Sequence, residues 1–411
     1  MTLSPADIRS ARRRGHAVLI SGQALAGLGM GAMFSSGALL VTQVSGSEAL
    51  SGMAATGTTV GAAIASIPLA ALARRAGRAP SLATGALVAA AGAGVGLLAA
   101  VLVNLPLLLV GLVLVGFGTA VNLQSRFAAT DLSEPGSRGR DLAFVVWATT
   151  VGAVLGPNLI GPADVFGRSL GLPALSGPFL FTIAAQVVAA GIYFFLLRPD
   201  PLKLAERIGR ERDLDGAAVV AVPTGDRSGV RTGLIALALS HATMVGIMSM
   251  TPVHLVDHGA TLQIVGLTIS LHVAGMFALS PVFGWLSDRL GRKPVIALGQ
   301  AMLLAALLFV SIGGEDQGAV IAGLILLGLG WSASTVAGSA LIAESADPLR
   351  RTVIQGRADL LMSASGALGG ALAGPALAAL TYEGLGAVAI TLVVVVLAAV
   401  GLRSARRTRE V

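Results

Sequence analysis

The chain has 411 residues, 55% of them hydrophobic and only 12% charged, where an average soluble domain carries roughly 25% charged residues. A soluble fold of this size needs far more polar surface, so that class is excluded. There is no cysteine, which removes disulfide frameworks and thiolate metal sites.

Apolar runs of about 20 residues recur throughout, each long enough to cross a hydrocarbon core of about 30 Å as a helix. The expected class is an all-α polytopic membrane protein. A β-barrel would show short alternating segments instead. Glycine is abundant, at 54 residues, and in a membrane bundle that points to close helix packing.

In chain order, span 1 is expected at 17–42. The basic start "MTLSPADIRSARRRGH" resembles the head of a signal peptide, but the apolar stretch after it exceeds an h-region of about 7–15 residues. Gln23 is the notable polar residue of this span, which contains no acid. Span 2 (50–73) runs into "AALARRAGRAP" at 70–80, a turn with Arg74, Arg75, Gly77 and Arg78, and span 3 follows at 81–103.

Span 4 (106–130) ends in "NLQSR", where Asn122 and Arg126 share a helix face and Gln124 points elsewhere. A charge inside the membrane is costly, about 2.5–3.5 kcal/mol at a helix centre. Arg126 either holds an anionic group, sets the proton affinity of a nearby acid such as Asp131, or snorkels to the surface.

Span 5 (141–162) carries "GAVLGPNLIG", with Gly152 and Gly156 one turn apart and Pro157 removing a helix hydrogen bond. Such a face either seals against ion leak or serves close packing alone, as at Gly27/Gly31, Gly57/Gly61 and Gly92/Gly96. Span 6 is expected at 177–197. Residues 198–231 then form the one long polar stretch, a solvated linker that can include a short surface helix.

Span 7 (232–255) contains His241, and span 8 (262–286) contains His272. Each either carries a proton near neutral pH or is a hydrogen-bonded packing residue. His254, Asp257 and His258 lie together at the outer end of span 7, but one exposed loop lacks a closed metal-ligand set; no metal is expected.

Span 8 runs into "GWLSDRLGRKP" at 284–294, with Gly284, Asp288, Arg289, Gly291, Arg292 and Lys293. Gly291 permits the positive φ that ends a helix in a tight turn. Asp288 stands at a helix C-terminus, where the carbonyls repel an anion, so it needs an arginine or another helix's N-terminus. Spans 9 (295–313), 10 (319–343), 11 (355–379) and 12 (385–402) complete the set. Trp331 and Ser334 lie in span 10, and Gly366, Gly370 and Gly374-Pro375 in span 11 repeat the pattern of span 5.

The basic residues of the loops, with Arg357 in the first turn of span 11, alternate so that 26 of the 28 lie on one side, leaving Arg126 within span 4 and Arg168 opposite. That asymmetry, rather than a nucleic-acid partner, accounts for the net charge of +7, and it puts both termini and the linker in the cytoplasm. The acids Asp131, Glu134, Asp141, Glu344, Asp347 and Asp359 gather on the same side. Asp131, Asp141, Glu344 and Asp359 are expected to pair with the basic loops when a cytoplasmic gate is closed.

The halves repeat one another. The two charged turns are offset by 214 residues, "GLVLVGFGTA" at 111 and "GLILLGLGWS" at 323 by 212, and "GAVLGP" at 152 and "GALAGP" at 370 by 218. Two parallel six-helix repeats, residues 1–197 and 232–411, mark a transporter with its path between them.

On these motifs the sequence resembles the major facilitator superfamily over essentially its whole length. "GWLSDRLGRKP" matches that superfamily's loop signature between spans 8 and 9, and "AALARRAGRAP" is the counterpart between spans 2 and 3. "GAVLGPNLIG" looks like the glycine-proline antiporter motif of its drug/proton exporters. The resemblance implies twelve helices in two pseudo-symmetric bundles. It also implies a loop that braces the opposite half in one conformation, placing Asp288 near the start of span 5 and Arg138 or Arg140. By symmetry Arg74 is expected to meet Asp359. Leu112 stands where those exporters usually have a span 4 arginine, which leaves the proton-carrying group open.

The expected function is secondary transport by alternating access, with export of a hydrophobic or amphipathic compound in exchange for protons. Candidate cavity liners are Gln23, Asn122, His241, Met244, Trp331 and Ser334. Metabolite uptake, an uncoupled facilitator and a non-transporting sensor on the same fold are the alternatives. No G-x-x-x-x-G-K-[ST] signature indicates an ATP-driven pump, and no enzyme constellation or cofactor is expected. A monomer in a bacterial inner or plasma membrane completes the expectation, its partners being lipid, a small molecule and protons.

Overall fold

A computed structural model describes residues 4–47, 50, 52–134, 136–156, 159–214, 225–313 and 316–407. Among them the regular elements are helical: fourteen α-helices and a short π-helical segment, Ile192–Leu196. In chain order they are α1 (Pro5–Ser45), α2 (Met53–Ala76), α3 (Arg78–Leu102), α4 (Leu105–Ala128), α5 (Arg138–Leu155), α6 (Ile160–Ser169) and α7 (Gly177–Gly191). The rest are α8 (Pro201–Leu214), α9 (Arg227–Asp257), α10 (Leu262–Phe277), α11 (Ser280–Leu290), α12 (Arg292–Ile312), α13 (Gln317–Ser345) and α14 (Arg351–Arg407).

Nine helical stretches among the described residues are long and apolar enough to cross a membrane. One of them, residues 351–401, is two helices joined at Thr381, whose φ of 62° is not helical. With that stretch counted twice, and with α1 and α5, the helices are consistent with the twelve expected spans.

Local chemistry sets the ends. Ser4 and Asp7 form a capping box that starts α1 well before its apolar part. Asn104 accepts from Leu107 N at 2.9 Å to open α4, and Thr261, Asp226 and Asp316 cap α10, α9 and α13 in the same way. Span 8 is broken where one helix was expected: Pro281 has no N–H, and the Ser280 hydroxyl instead donates to Phe277 O at 2.7 Å. Span 5 likewise stops at Leu155, and a second helix, α6, follows. Within the linker, α8 buries Leu202 and Leu204 and carries Lys203–Glu206 and Arg207–Glu211 pairs on more exposed positions.

The chain divides into two compact units. The first comprises Met1–Pro135, Phe144–Gly225 and Asp347–Leu360; the second comprises Gly136–Ala143, Asp226–Ala346 and Leu361–Val411. Each unit contains one of the two charged turns. Gly77 (φ 104°) and Gly291 (φ 93°) occupy equivalent places in them, in backbone that a side chain would strain.

Glycine also lets helices touch along matching seams within each unit. In the first unit a methyl on Gly116 of α4 would stand 2.8 Å from Gly61 Cα of α2. In the second, a methyl on Gly328 of α13 would stand 3.0 Å from Met276 N of α10, beside Gly275. Gly61 and Gly275 are offset by the same 214 residues as the charged turns.

Gly116→Ala and Gly328→Ala are each expected to destabilise the purified protein by about 1–3 kcal/mol through overpacking against backbone. Gly94→Ala, where nothing lies within 4 Å of the added methyl, should stay within about 0.5 kcal/mol of wild type. Thermal unfolding in detergent measures both; equal behaviour of the three variants would contradict the seam.

Candidate functional site

The polar groups gather at two places in each unit: the end that carries the basic turns, and the helix interiors. In the first unit Arg78 is the first residue of α3 and is buried. A cation at a helix N-terminus is disfavoured by the helix dipole, and a buried one must be paired. Its Nε donates to Asp131 Oδ2 at 2.8 Å and its Nη2 to Asp131 Oδ1 at 3.2 Å. The same Nη2 donates to Gln355 Oε1 of α14 at 2.6 Å. Burial pushes the Asp131 carboxyl up from its ordinary value, against the downward pull of Arg78.

One turn along α14, Asp359 is fully buried, and its Oδ1 accepts from Arg126 Nη2 of α4 at 2.8 Å. Arg126 is itself only 2% exposed, so it does not snorkel. Asp200, in the linker, closes this end. Its Oδ2 accepts from Ala79 N at 2.7 Å, and its Oδ1 accepts from Leu202 N and Lys203 N at the start of α8.

In the second unit the equivalent arginine, Arg292, is the first residue of α12 and donates through Nε to Glu344 Oε2 at 3.1 Å. Its Nη1 bonds Ser287 Oγ and Asp288 Oδ1. Asp288 also accepts from two backbone amides at the start of α5, Gly139 N and Arg140 N, each at 2.9 Å. The anion therefore sits on a helix N-terminus, where the dipole stabilises it. Gly284 allows the approach: a methyl there would lie 2.6 Å from Gly139 O. Arg289 is exposed and lies over the Trp285 ring at 4.7 Å, and Lys293 is half-buried.

Two expected pairings differ. Arg74 does not meet Asp359: it is exposed, and its carbonyl accepts from Lys203 Nζ at 2.9 Å. Arg74 and Arg75 lie in the last turn of α2, and both are exposed. Arg126 takes Asp359 rather than Asp131, because Arg78 already holds both oxygens of Asp131. Asp141, near the start of α5, accepts from Ser137 Oγ at 3.1 Å.

The interior of the first unit brings Gln23 and Asn122 together on Thr149, with Nε2 and Nδ2 at 3.0 Å and 3.4 Å from its hydroxyl. Thr149 lies one turn before Gly152, which packs directly on Gly27. Gly156 N donates to Gly152 O at 2.8 Å, and Pro157 lies outside the described residues.

In the second unit Trp331 Nε1 donates to His241 Nδ1 at 2.9 Å. Indole only donates, so Nδ1 carries no proton and His241 is held neutral. Phe277 meets the Trp331 ring edge-on at 5.7 Å. Gln300 Nε2 donates to Ser240 Oγ and Ser334 Oγ, both at 2.8 Å. His272 is fully buried, with Nδ1 2.8 Å from Leu324 O and Nε2 without a partner among the described residues.

Thr149, Asp200, Gln300 and Gln355 were not singled out in the sequence. Only Gln355 carried a signal there, lying four residues before Asp359 on the same helix face.

The sequence pattern described as Major Facilitator Superfamily matches residues 19–256 and again residues 233–410. The MFS-type transporter YddS of Bacillus subtilis (strain 168) is 39% identical over 89% of this chain and 85% of its own length. The riboflavin transporter RfnT of Brucella anthropi is 28% identical, with 96% of each chain covered. The crystal structure of the human organic anion transporter MFSD10 superposes with a TM-score of 0.75 at 16% identity, over 95% of this chain and 99% of that one. Matched along both halves and closely related to a bacterial transporter, the chain belongs to the major facilitator superfamily of membrane transporters.

Proposed function

We propose that this transporter works by alternating access and exports an amphipathic compound in exchange for protons. It does so from a bacterial inner or plasma membrane, with both termini in the cytoplasm. One observation carries the mechanism: the Asp288 carboxylate binds two backbone amides at the start of α5 as well as Arg292. Such a contact ties helices from the two sequence repeats together, and bonds made in one conformer only shift a two-state balance directly. The basic end is then the cytoplasmic gate, with Asp288 and the Arg78–Asp131 and Arg292–Glu344 pairs as its fastenings.

The chemistry of the interior supports an amphipathic substrate. The first unit's interior offers the neutral polar groups Gln23, Asn122 and Thr149; in the second, Trp331 bonds His241, Met244 lies on the same helix as His241, and Phe277 meets the Trp331 ring edge-on. Met and aromatic side chains adapt to varied shapes. A second reading, uptake of a planar metabolite, is favoured by the full-length likeness to a riboflavin transporter.

Vesicles containing the purified protein separate these readings with two fluorescent probes, riboflavin and ethidium, whose charges do not titrate near neutral pH. Exchange for protons concentrates a probe in an acidic lumen, and symport concentrates it in an alkaline one. No response of flux to ΔpH for a transported probe would remove proton coupling.

Asp288→Asn keeps the shape but loses the charge of bonds worth about 1.5–3 kcal/mol each. Transport is expected to fall by more than tenfold while membrane insertion stays near wild type; wild-type rates would refute the brace. Arg78→Ala strands Asp131 and should cost about 3–5 kcal/mol of stability. Arg74→Ala, at the exposed position four residues earlier, should leave unfolding within about 0.5 kcal/mol, and thermal unfolding compares the two.

A further inference from the structure

Asp359 differs from the other carboxylates at the basic end. Asp131 has both oxygens bonded by Arg78, and Asp288 has both bonded by backbone amides and Arg292. Asp359 is held through Oδ1 alone, and its Oδ2 is the one buried carboxylate oxygen among the described residues with no hydrogen-bond partner. Leaving such an atom unmatched is expensive when the group is charged. An ionisable group buried in a membrane helix with a named partner calls for a functional account.

We propose that Asp359 is the proton-carrying group of this transporter, taking the proton on Oδ2 while Arg126 holds Oδ1 in the ionised form. The inference rests on the proton-coupled reading above and deepens it. Uptake converts the carboxylate to a carboxylic acid, and the ion pair to a cation beside a neutral group. The tie between α4 and the start of α14 weakens, and release of the proton restores it. No other bond is made or broken.

The surroundings fit the role. The charged groups facing Asp359 are Arg126 from α4 and, further off, Arg78 from α3. Arg78 in turn faces Asp131 and Asp200, and Asp131 faces Arg351. Arg126 and Arg78 against Asp359 and Asp131 make a balanced set, so one proton changes its net charge from zero to +1. Gln355 lies one turn from Asp359 on the same face of α14. Arg78 can only donate, so it holds the amide oxygen of Gln355 and leaves Nε2 without a partner among the described residues. An uncharged polar group at that position brings the two ion pairs within reach without adding a competing charge.

Infrared difference spectra of the purified full chain across a pH titration test this without a substrate. A carbonyl band from a protonated buried carboxyl should rise as pH falls and be missing in Asp359→Asn. Persistence of the band in Asp359→Asn, its loss in Asp131→Asn instead, or no such band in wild type would overturn the assignment. In vesicles with riboflavin and ethidium, any flux that Asp359→Asn retains should be indifferent to ΔpH, and Asp359→Glu should recover the response with an altered pH profile. ΔpH-driven accumulation by Asp359→Asn equal to wild type would also overturn it. A wild type that moves a probe without responding to ΔpH defeats the proton-coupled reading itself, whereas the infrared titration judges Asp359 alone.

Discussion

A buried arginine as the first residue of a helix is the constraint on which the basic end depends. Arg78 opens α3 and Arg292 opens α12, each directly after a glycine with positive φ. The dipole disfavours a cation there, burial removes its water, and an unpaired charge in that place would cost several kcal/mol. A carboxylate must therefore be brought in from elsewhere in the chain. Asp131 comes from just after α4, and Glu344 from the last turn of α13. Those two demands fix where α4 and α13 end relative to the turns. Asp200, which bonds Ala79 N and starts α8, adds a second anion at the same helix start.

Duplication explains why the same solution occurs twice, and the exceptions show where the copies diverge. The Arg–acid pairs and the Gly61–Gly116 and Gly275–Gly328 seams are shared. The aspartate is not. In the second turn Asp288 binds the start of α5 and Arg292 at once, whereas in the first the equivalent residue, Arg74, is exposed. Within the first unit, Gln355 and Asp359 of α14 instead bond Arg78 and Arg126. One turn thus has an anion on a helix N-terminus, and the other an amide and a buried ion pair beside it.

Periodicity and turn chemistry made the helices legible, because apolar length and the punctuation at Gly77, Asn104 and Gly291 are local properties. The break at Pro281 was less visible, since an apolar run reads as continuous through it, whereas Thr381 falls in the gap expected between spans 11 and 12. That Asp288 needs an arginine or another helix's N-terminus could be anticipated, because a carboxylate at a helix C-terminus is repelled by its own carbonyls; the start of α5 in particular was what the family resemblance implied. The partner of Arg126 could not be anticipated. Asp131 is five residues away and Asp359 is 233, and the choice was decided by Arg78 having filled Asp131 first. Competition among arginines for a few acids is a tertiary property that spacing does not encode. Thr149 and Gln300 were silent for a related reason: a lone hydroxyl or amide in an apolar helix acquires meaning only from what lies opposite.

The two kinds of contact differ in how they can take part in motion. A glycine seam offers no exchange partner: separating it forfeits dispersion contacts on both helices with nothing to replace them, so α2 with α4, and α10 with α13, behave as rigid pairs. A buried ion pair is different, because its desolvation cost nearly cancels its attraction. Its net contribution is small although breaking one side is costly, and a change that removes charge from both states of the comparison removes much of that cost. Proton uptake is such a change. A transporter that must separate helices repeatedly can thus keep its seams of glycine intact and place what must open on carboxylates, where one proton weighs as much as several packed methylenes.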